Sequence, residues 1–314
     1  MMMRQRNHET FIVVSMEVRL LKNVFEHANF YWVRYSVYEL KHDESGILYI
    51  VPAQDAAAEI YNPLENTVKM ILDALNVGMC SIQRKPDEYV RKSVMEFVSS
   101  YGLLGIMTAL PTTPYFMDYK AVYLQRNHFL KVESMTTEEY LSYFFPFGKL
   151  NVEKNGDEYQ WDVKADQDMK ALALTFSKEP TAMNMSLQRL YAERYDWVLL
   201  QLKDLAYNLL GSFLYYEDYP KLDETQRALY RQSVSAFGSN APSYHVALLD
   251  RPTIVWDYYS LLSGLQMMAN MMLADEEHPV RLCRNCQKVF IAGNPNQRFC
   301  CSECADEFSV RGSR

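Results

Sequence analysis

The chain has 314 residues, of which 49% are hydrophobic and 23% are charged, and its formal net charge is −7. This composition is close to the globular average, which excludes a disordered or fibrous protein. The acidic balance argues against a surface coated with nucleic acid, so any contact with a polyanion must be local. The sequence has no apolar run of about 20 residues, so we predict no membrane span and no membrane partner.

The N-terminal residues, MMMRQRNHETFIVV, contain no apolar segment followed by a small-residue cleavage site. We therefore predict no secretory signal and a cytoplasmic location. Five of the six cysteines lie within the 22 residues from Cys283 to Cys304. A dense cluster of this kind in a cytoplasmic protein indicates a metal site rather than a disulfide framework.

The N-terminal region shows the period of two that is typical of strands. Apolar and polar residues alternate over 30–41, and a second apolar run over 47–51 follows a turn that ends at Gly46. These two runs predict a β-hairpin. An earlier apolar run over 11–18 predicts a third strand.

Helical signals follow. Asn62 at the cap and Pro63 at the first helical position predict a helix that ends at Gly78. Cap residues and a spacing of three or four between apolar residues predict further helices over 86–102, 136–146, 184–216, 223–238 and 252–273. The helix over 184–216 has the longest apolar stripe and would extend about 50 Å.

The fold class that follows is α+β and mostly helical, with a small N-terminal β-hairpin region, a long-helix body and a C-terminal treble-clef zinc finger. We predict an N-terminal α+β region over 1–150, a helical region over 166–279 and the finger over 280–314. The polar segment between the first two regions is the best internal boundary. The alternative is that these two regions form one body.

The cysteine spacing has a direct chemical meaning. Cys283 and Cys286 form a C-x2-C pair, and after 13 intervening residues come Cys300 and then Cys304. Zinc(II) binds four thiolates tetrahedrally at about 2.3 Å, and two short ligand pairs close such a site. We predict one structural zinc ion. A segment of 34 residues is too short to bury a sufficient core without a metal or another cross-link.

The rest of this segment predicts a treble clef. The sequence between the two cysteine pairs reads as a strand over 288–291, a turn, and a strand over 297–300. Ser302 can cap a helix whose first turn contains Cys304. Cys301 competes with Cys300 for the third position. Because adjacent residues of an extended segment point to opposite sides, only one of them binds the ion; the spacing favours Cys300 and leaves Cys301 as the substitute.

The C-terminal segment resembles the treble-clef fingers of bacterial proteins with a helical body, of which the CGNR-type fingers are the named example. The resemblance covers residues 281–310 and depends on Cys283, Cys286, Phe290, Asn294 and the Arg-Phe-Cys approach to Cys304. It implies a zinc-binding transcription regulator. The CGNR run and the basic helix of that family are missing here, since Cys304 is followed by Ala-Asp-Glu.

The finger also contains basic residues that predict a contact with nucleic acid or with a protein partner. They are Arg284, Lys288, Arg298, Arg311 and Arg314. The alternative is that they only offset the negative charge of the four thiolates. A contact through so few cations would be weak and sensitive to salt.

The function predicted from these patterns is that of a non-enzymatic regulatory or adaptor protein whose finger docks on nucleic acid or on a protein. No phosphate loop, metalloprotease motif or nucleophile elbow is present, so we identify no catalytic residue. One alternative is an enzyme or defence effector with its active site in the body. Another is an oligomeric scaffold that uses the methionines of 267–272.

Overall fold

The computed structural model describes residues 28–29, 31–109, 122–123, 127–130, 134–148, 152–155, 158–161, 185–217, 219–235, 243–258, 260–273, 280–294 and 296–312. Of these residues, 50% are helical and 20% lie in strands, which confirms the predicted mixture of helix and strand. The strand predicted over 11–18 lies outside them. Within the described ranges, no helix has both the length and the apolar character needed to cross a bilayer.

The described strands are β1 (Ala28–Asn29), β2 (Trp32–Tyr35), β3 (Tyr38–His42), β4 (Leu48–Pro52), β5 (Ala58–Tyr61), β6 (Val122–Tyr123), β7 (Ser134–Met135), β8 (Val152–Asn155), β9 (Glu158–Trp161), β10 (Glu193–Arg194), β11 (Ser243–Leu248), β12 (Pro252–Asp257), β13 (Val280–Leu282) and β14 (Val289–Ile291). The helices are α1 (Thr67–Ile82), α2 (Asp87–Tyr101), α3 (Thr137–Phe144), α4 (Tyr195–Glu217), α5 (Glu224–Ser235), α6 (Leu261–Leu273) and α7 (Ser302–Gly312).

The strand predicted over 30–41 is two strands with different partners. β2 pairs antiparallel with β5, whereas β3 pairs antiparallel with β4. The predicted hairpin is confirmed as β3–β4. Its turn is closed by Asp43, whose side-chain oxygen accepts hydrogen bonds from the backbone N–H groups of Ser45 and Ile47.

Helix α1 begins where its cap residues predict. The side chain of Asn62 accepts a hydrogen bond from the backbone N–H of Leu64 at 3.0 Å. A 3-10 turn over Pro63–Asn66 then leads into the α-helix. Asn62 and Pro63, the two residues that predict the start of this helix, therefore lie where the helical turns begin.

The prediction that Gly78 ends this helix is wrong, because α1 continues to Ile82. Gly78 lies where α1 packs on α4. A methyl group added there would overlap the carbonyl oxygen of Leu202 and lie 2.7 Å from the Cβ atom of Ala206. The glycine thus allows two helix backbones to approach closely, a role that local sequence does not distinguish from a helix stop.

The long helix predicted over 184–216 begins at Tyr195, as α4. The preceding residues form a 3-10 turn over Met185–Leu187 and the short strand β10, which pairs with β4. Leu187 and Tyr191 in this irregular segment are buried, so their spacing imitates a helical stripe. The 23 residues of α4 extend about 35 Å instead of 50 Å.

The single helix predicted over 252–273 is wrong in its first half. Residues Pro252–Asp257 form β12, which pairs antiparallel with β11, and the helix α6 starts at Leu261. The run Thr-Ile-Val-Trp at 253–256 is β-branched and aromatic, a composition that favours a strand when a pairing partner is present.

One end or the other of three further helices agrees with its predicted signal. α2 ends at Gly102, which has φ of 88°. Thr136 and Glu139 form a reciprocal capping box at α3. Asp223 and Gln226 exchange hydrogen bonds of the same kind at α5.

One hydrophobic cluster contains residues from all three predicted regions. Its members include Trp32 of β2, Leu202 of α4, Met268 of α6 and Val289 of β14. The methionines of α6 belong to this cluster or pack against it, which makes them core residues. The boundaries between the three predicted regions stay a prediction.

A buried carboxylate organises the loop that follows α2. Glu193 of β10 accepts hydrogen bonds from the backbone N–H groups of Leu104 at 2.8 Å and Ile106 at 2.7 Å. The hydroxyl of Tyr191 donates to the same carboxylate at 2.6 Å. Burial raises the pKa of Glu193, although these three hydrogen bonds act in the opposite direction.

Candidate metal centre

The first cysteine pair lies in the turn of a two-stranded hairpin. β13 and β14 pair antiparallel, with Leu282 opposite Val289. In the turn between them, the N–H of Cys283 donates to the carbonyl of Lys288, and the N–H of Gln287 donates back to the carbonyl of Cys283, each at 2.9 Å. This paired backbone fixes the separation of Cys283 and Cys286.

The second pair lies at the start of α7. Cys300 precedes this helix and Cys304 lies in its first turn, as the spacing predicts. The rings of Phe299 and Phe308 pack against each other with centroids 5.3 Å apart. This contact holds the helix against the segment that contains Cys300.

The strand predicted over 297–300 is absent, since these described residues form no ladder. The amide side chain of Gln297 explains the difference. It accepts a hydrogen bond from the N–H of Gly293 at 2.7 Å and donates to the carbonyl of Phe299 at 2.9 Å. These bonds satisfy backbone groups that a hairpin ladder would otherwise use. The strand pair of this module therefore encloses the C-x2-C turn instead of following it.

Four sulfur atoms converge between these two elements. The ligand atoms of Cys283, Cys286, Cys300 and Cys304 all lie within 4.8 Å of one another. The Sγ atom of Cys300 is 3.7 Å from that of Cys286 and 3.6 Å from that of Cys304. Metal–sulfur bonds of about 2.3 Å in a tetrahedron place sulfurs about 3.8 Å apart, so the spacing suits a tetrahedral metal ion.

The group of four contains Cys300 and not Cys301. The sulfur of Cys301 lies 3.8 Å from that of Cys300, on an exposed residue just before α7. Of the two thiols between which the sequence leaves a choice, the structure thus brings Cys300 into the cluster. Cys301 is an adjacent spare thiol.

The surroundings of the four thiols shift the pKa values of Cys283 and Cys300 in opposite directions. Burial raises the pKa of Cys283, but backbone N–H groups of the turn outweigh it and lower the pKa to about 6. Burial and hydrogen bonds with the neighbouring thiols strongly raise the pKa of Cys300. Four thiolates this close repel one another, and a divalent cation between them removes that repulsion.

The predicted basic residues of the finger do not form one continuous group. Arg284 and Arg298 are neighbours, because the backbone N–H of one donates to the carbonyl of the other at 3.1 Å. Lys288 lies on the side of the turn that faces α1, and Arg311 lies in the last turn of α7. Arg314 lies outside the described residues.

The module is joined to the body through α1. The side chain of Asn76 accepts a hydrogen bond from the N–H of Val289 at 2.9 Å, and its amide nitrogen is 3.5 Å from the carbonyl oxygen of the same residue. The side chain of Gln83 donates to the carbonyl of Gln287 at 3.2 Å. Val280, a residue of β13, belongs to the main hydrophobic cluster. The cysteine cluster is thus built onto the body.

Two histidine–aspartate pairs form a feature that sequence reasoning missed. Nδ1 of His245 lies 2.6 Å from the carboxylate of Asp257, on the paired strands β11 and β12. Nδ1 of His128 lies 2.7 Å from the carboxylate of Asp204. In each pair a buried carboxylate orients a more exposed imidazole, an arrangement suited to a general base. The partners are 12 and 76 positions apart, so no local motif identifies them.

Comparisons with protein-family models, curated proteins and solved structures give no match.

Proposed function

We propose that this protein is a non-enzymatic regulatory or adaptor protein in which zinc, bound by Cys283, Cys286, Cys300 and Cys304, holds a C-terminal module against the body. The observation that carries the proposal is the convergence of these four sulfurs at tetrahedral spacing. Four thiolates leave no open position on the ion, so its role is structural.

The surface that this module offers to a partner is the helix α7. All of its acidic residues, Glu303, Asp306 and Glu307, are exposed. Phe308 is 42% exposed and Val310 is 59% exposed on the same helix. An acidic helix repels phosphates, whereas apolar residues bordered by carboxylates suit a protein surface bordered by lysine and arginine. We therefore assign the docking role to a basic protein partner.

The test uses the purified, metal-loaded chain and a fluorescent amphipathic peptide of leucine and lysine as the probe. We expect the variant Asp306→Lys to weaken peptide binding, measured by fluorescence anisotropy. Glu44→Lys is the matched control, because it makes the same change in net charge in the exposed β3–β4 turn. Equal weakening by Asp306→Lys and Glu44→Lys would show general charge attraction and would contradict docking on α7.

The same assay with a mixed-sequence DNA duplex distinguishes docking on nucleic acid from docking on a protein partner. Binding that falls steeply with salt and is weakened by Arg284→Ala and Arg298→Ala would replace the protein partner with DNA. We expect no such binding at physiological salt. Metal content, measured in parallel, ensures that neither arginine variant acts through loss of the ion.

The second candidate function is an enzyme, and the pair of His245 and Asp257 is the observation that favours it. An imidazole held by a buried carboxylate is a competent general base wherever a substrate reaches its other nitrogen. Reaction of the His245 ring with diethyl pyrocarbonate, measured by the absorbance of the modified imidazole, tests whether a reagent reaches its other nitrogen. A hydrolase activity of the purified chain that His245→Gln abolishes would establish the enzyme, and no loss in that variant would contradict it.

A further inference from the structure

A cleft of about 480 Å³ runs between α1, α2 and the metal-binding module. Its size lies within the range of small-molecule sites in proteins. The floor is apolar and rigid, since Val77 of α1 and Phe97 of α2 are almost completely buried. The rim is polar along its whole length.

The end of the cleft far from the module is already neutralised. Nζ of Lys69 lies 2.6 Å from the carboxylate of Asp73, and the hydroxyl of Tyr101 donates to the same carboxylate at 2.7 Å. The charges at this end therefore satisfy one another. Glu96 also lines the cleft and lies 3.8 Å from Lys92 of the same helix, so this part of the cleft offers a ligand hydroxyl and amide groups rather than positive charge.

The end of the cleft at the module is different. Lys85 reaches it from the loop between α1 and α2, and Lys288 reaches it from the C-x2-C turn. Among the residues that the structure describes, no carboxylate lies within ion-pair distance of either ammonium group. Both positive charges act on the thiol of Cys80, where burial raises the pKa and the two lysines oppose that effect. Two cations without a carboxylate partner thus flank one point of the cleft, and the sulfur of Cys286 lines the same end.

Two residues at this end of the cleft have a positive φ. Arg84 has φ of 55° and Gln287 has φ of 59°, and within the described ranges these are the non-glycine residues in the left-handed region. Each comes immediately before one of the two lysines. The side chain of Gln83 donates a hydrogen bond to the carbonyl of Gln287 and ties the two segments together. Arg84 adopts this conformation where α1 ends, and Gln287 adopts it in the C-x2-C turn, so the backbone of these two elements fixes where the two lysines begin.

We propose that this cleft binds a small organic anion, whose carboxylate or phosphate lies between Lys85 and Lys288 and whose apolar part lies on Val77 and Phe97. Such a ligand contacts the body through α1 and α2 and the module through Lys288. It would therefore fasten the module to the body. The inference goes beyond docking on α7 and does not depend on it, because no residue of α7 lines the cleft.

The experiment titrates the metal-loaded chain with phenyl phosphate, benzoate and the neutral benzyl alcohol, and measures binding by saturation-transfer NMR. We expect at least one of the two anions to bind with a Kd of millimolar order and benzyl alcohol to bind much more weakly. The tighter of the two anions identifies the head group. No saturation transfer from either anion at about 10 mM, or equal binding of the alcohol, would overturn the proposal.

The variants Lys85→Met and Lys288→Met each remove one cation and keep an apolar stem. We expect each to weaken binding of the preferred anion about fivefold, as for a partly exposed ion pair. Lys41→Met, a change of the same kind on β3 outside the cleft, should bind as the wild type does. Wild-type affinity in both cleft variants would show that the anion binds elsewhere. Both lysines are exposed, so the substitutions leave the core intact.

Discussion

The side-chain amide of Asn76 faces both backbone groups of Val289, with its oxygen 2.9 Å from the N–H and its nitrogen 3.5 Å from the carbonyl. From its position on α1, Asn76 thus bonds to the backbone of β14 as a neighbouring strand would. The residue it meets is 213 positions away in sequence. The C-terminal module consequently uses a helix of the body as a structural neighbour.

Replacing Asn76 by alanine should loosen the module. The N–H of Val289 would remain buried without its acceptor, at a cost of about 1–2 kcal/mol. We expect faster amide hydrogen exchange at Val289 and a lower urea midpoint. Gln83→Ala is the control, since its single bond is exposed and should contribute little. Unchanged exchange at Val289 in Asn76→Ala would contradict this link.

Replacing a cysteine of the cluster should remove the metal. Cys286→Ser and Cys304→Ser each delete one thiolate from the tetrahedral set, so zinc content measured by elemental analysis should fall from about one ion per chain toward none. Cys301→Ser should retain the ion, because that sulfur lies outside the group of four. Loss of zinc in Cys301→Ser with retention in Cys300→Ser would instead make Cys301 the ligand.

Gly78→Ala should destabilise the body. Its methyl group would overlap the Leu202 carbonyl, and backbone cannot move aside as a side chain can. We expect a loss of about 3 kcal/mol in the free energy of unfolding, more than the helix propensity of alanine restores. In Gly293→Ala the added methyl group meets its nearest neighbour at 3.4 Å, so that variant should unfold like the wild type.

Glu193→Gln should lower stability by an amount that depends on pH. An amide presents one acceptor oxygen where the carboxylate presents two, so one N–H of the loop after α2 loses its partner. The free energy of unfolding should fall by about 2 kcal/mol as a result.

The sign of the pH dependence follows from the raised pKa of Glu193. The folded state holds this proton more tightly than the unfolded state. The stability that protonation of Glu193 contributes is therefore complete below the ordinary pKa of 4.5 and declines as pH rises above it. The stability gap between wild type and Glu193→Gln should therefore widen as pH falls from about 8 to 5. Urea titrations at several pH values measure this gap, and a gap that narrows toward low pH would contradict the assignment.

The parts of the structure that the sequence predicts well are those fixed by local chemistry. Asn62, Thr136 and Asp223 satisfy backbone N–H groups within three residues, so their helix starts are visible without tertiary information. The cysteine pairs are equally local, because each spans one turn. The convergence of the four sulfurs follows from these two turns.

The parts that the sequence predicts poorly depend on distant partners. Residues 253–256 form a strand because β11 lies beside them, and Tyr191 is buried because an irregular segment crosses the core. Gly78 has the local character of a helix end, but its role is set by Leu202. The Asn76–Val289 bond and the histidine–aspartate pairs have no local signal for the same reason.

Asn76 and Gly78 lie two residues apart, which places them about 200° apart around α1. One side of this helical turn is pressed against α4, and the opposite side carries the hairpin of the cysteine module. A pulling force applied at the C-terminal end would therefore pass through the hairpin to α1, and from α1 to α4. The C-terminal module should resist such tension together with the body rather than unfold before it.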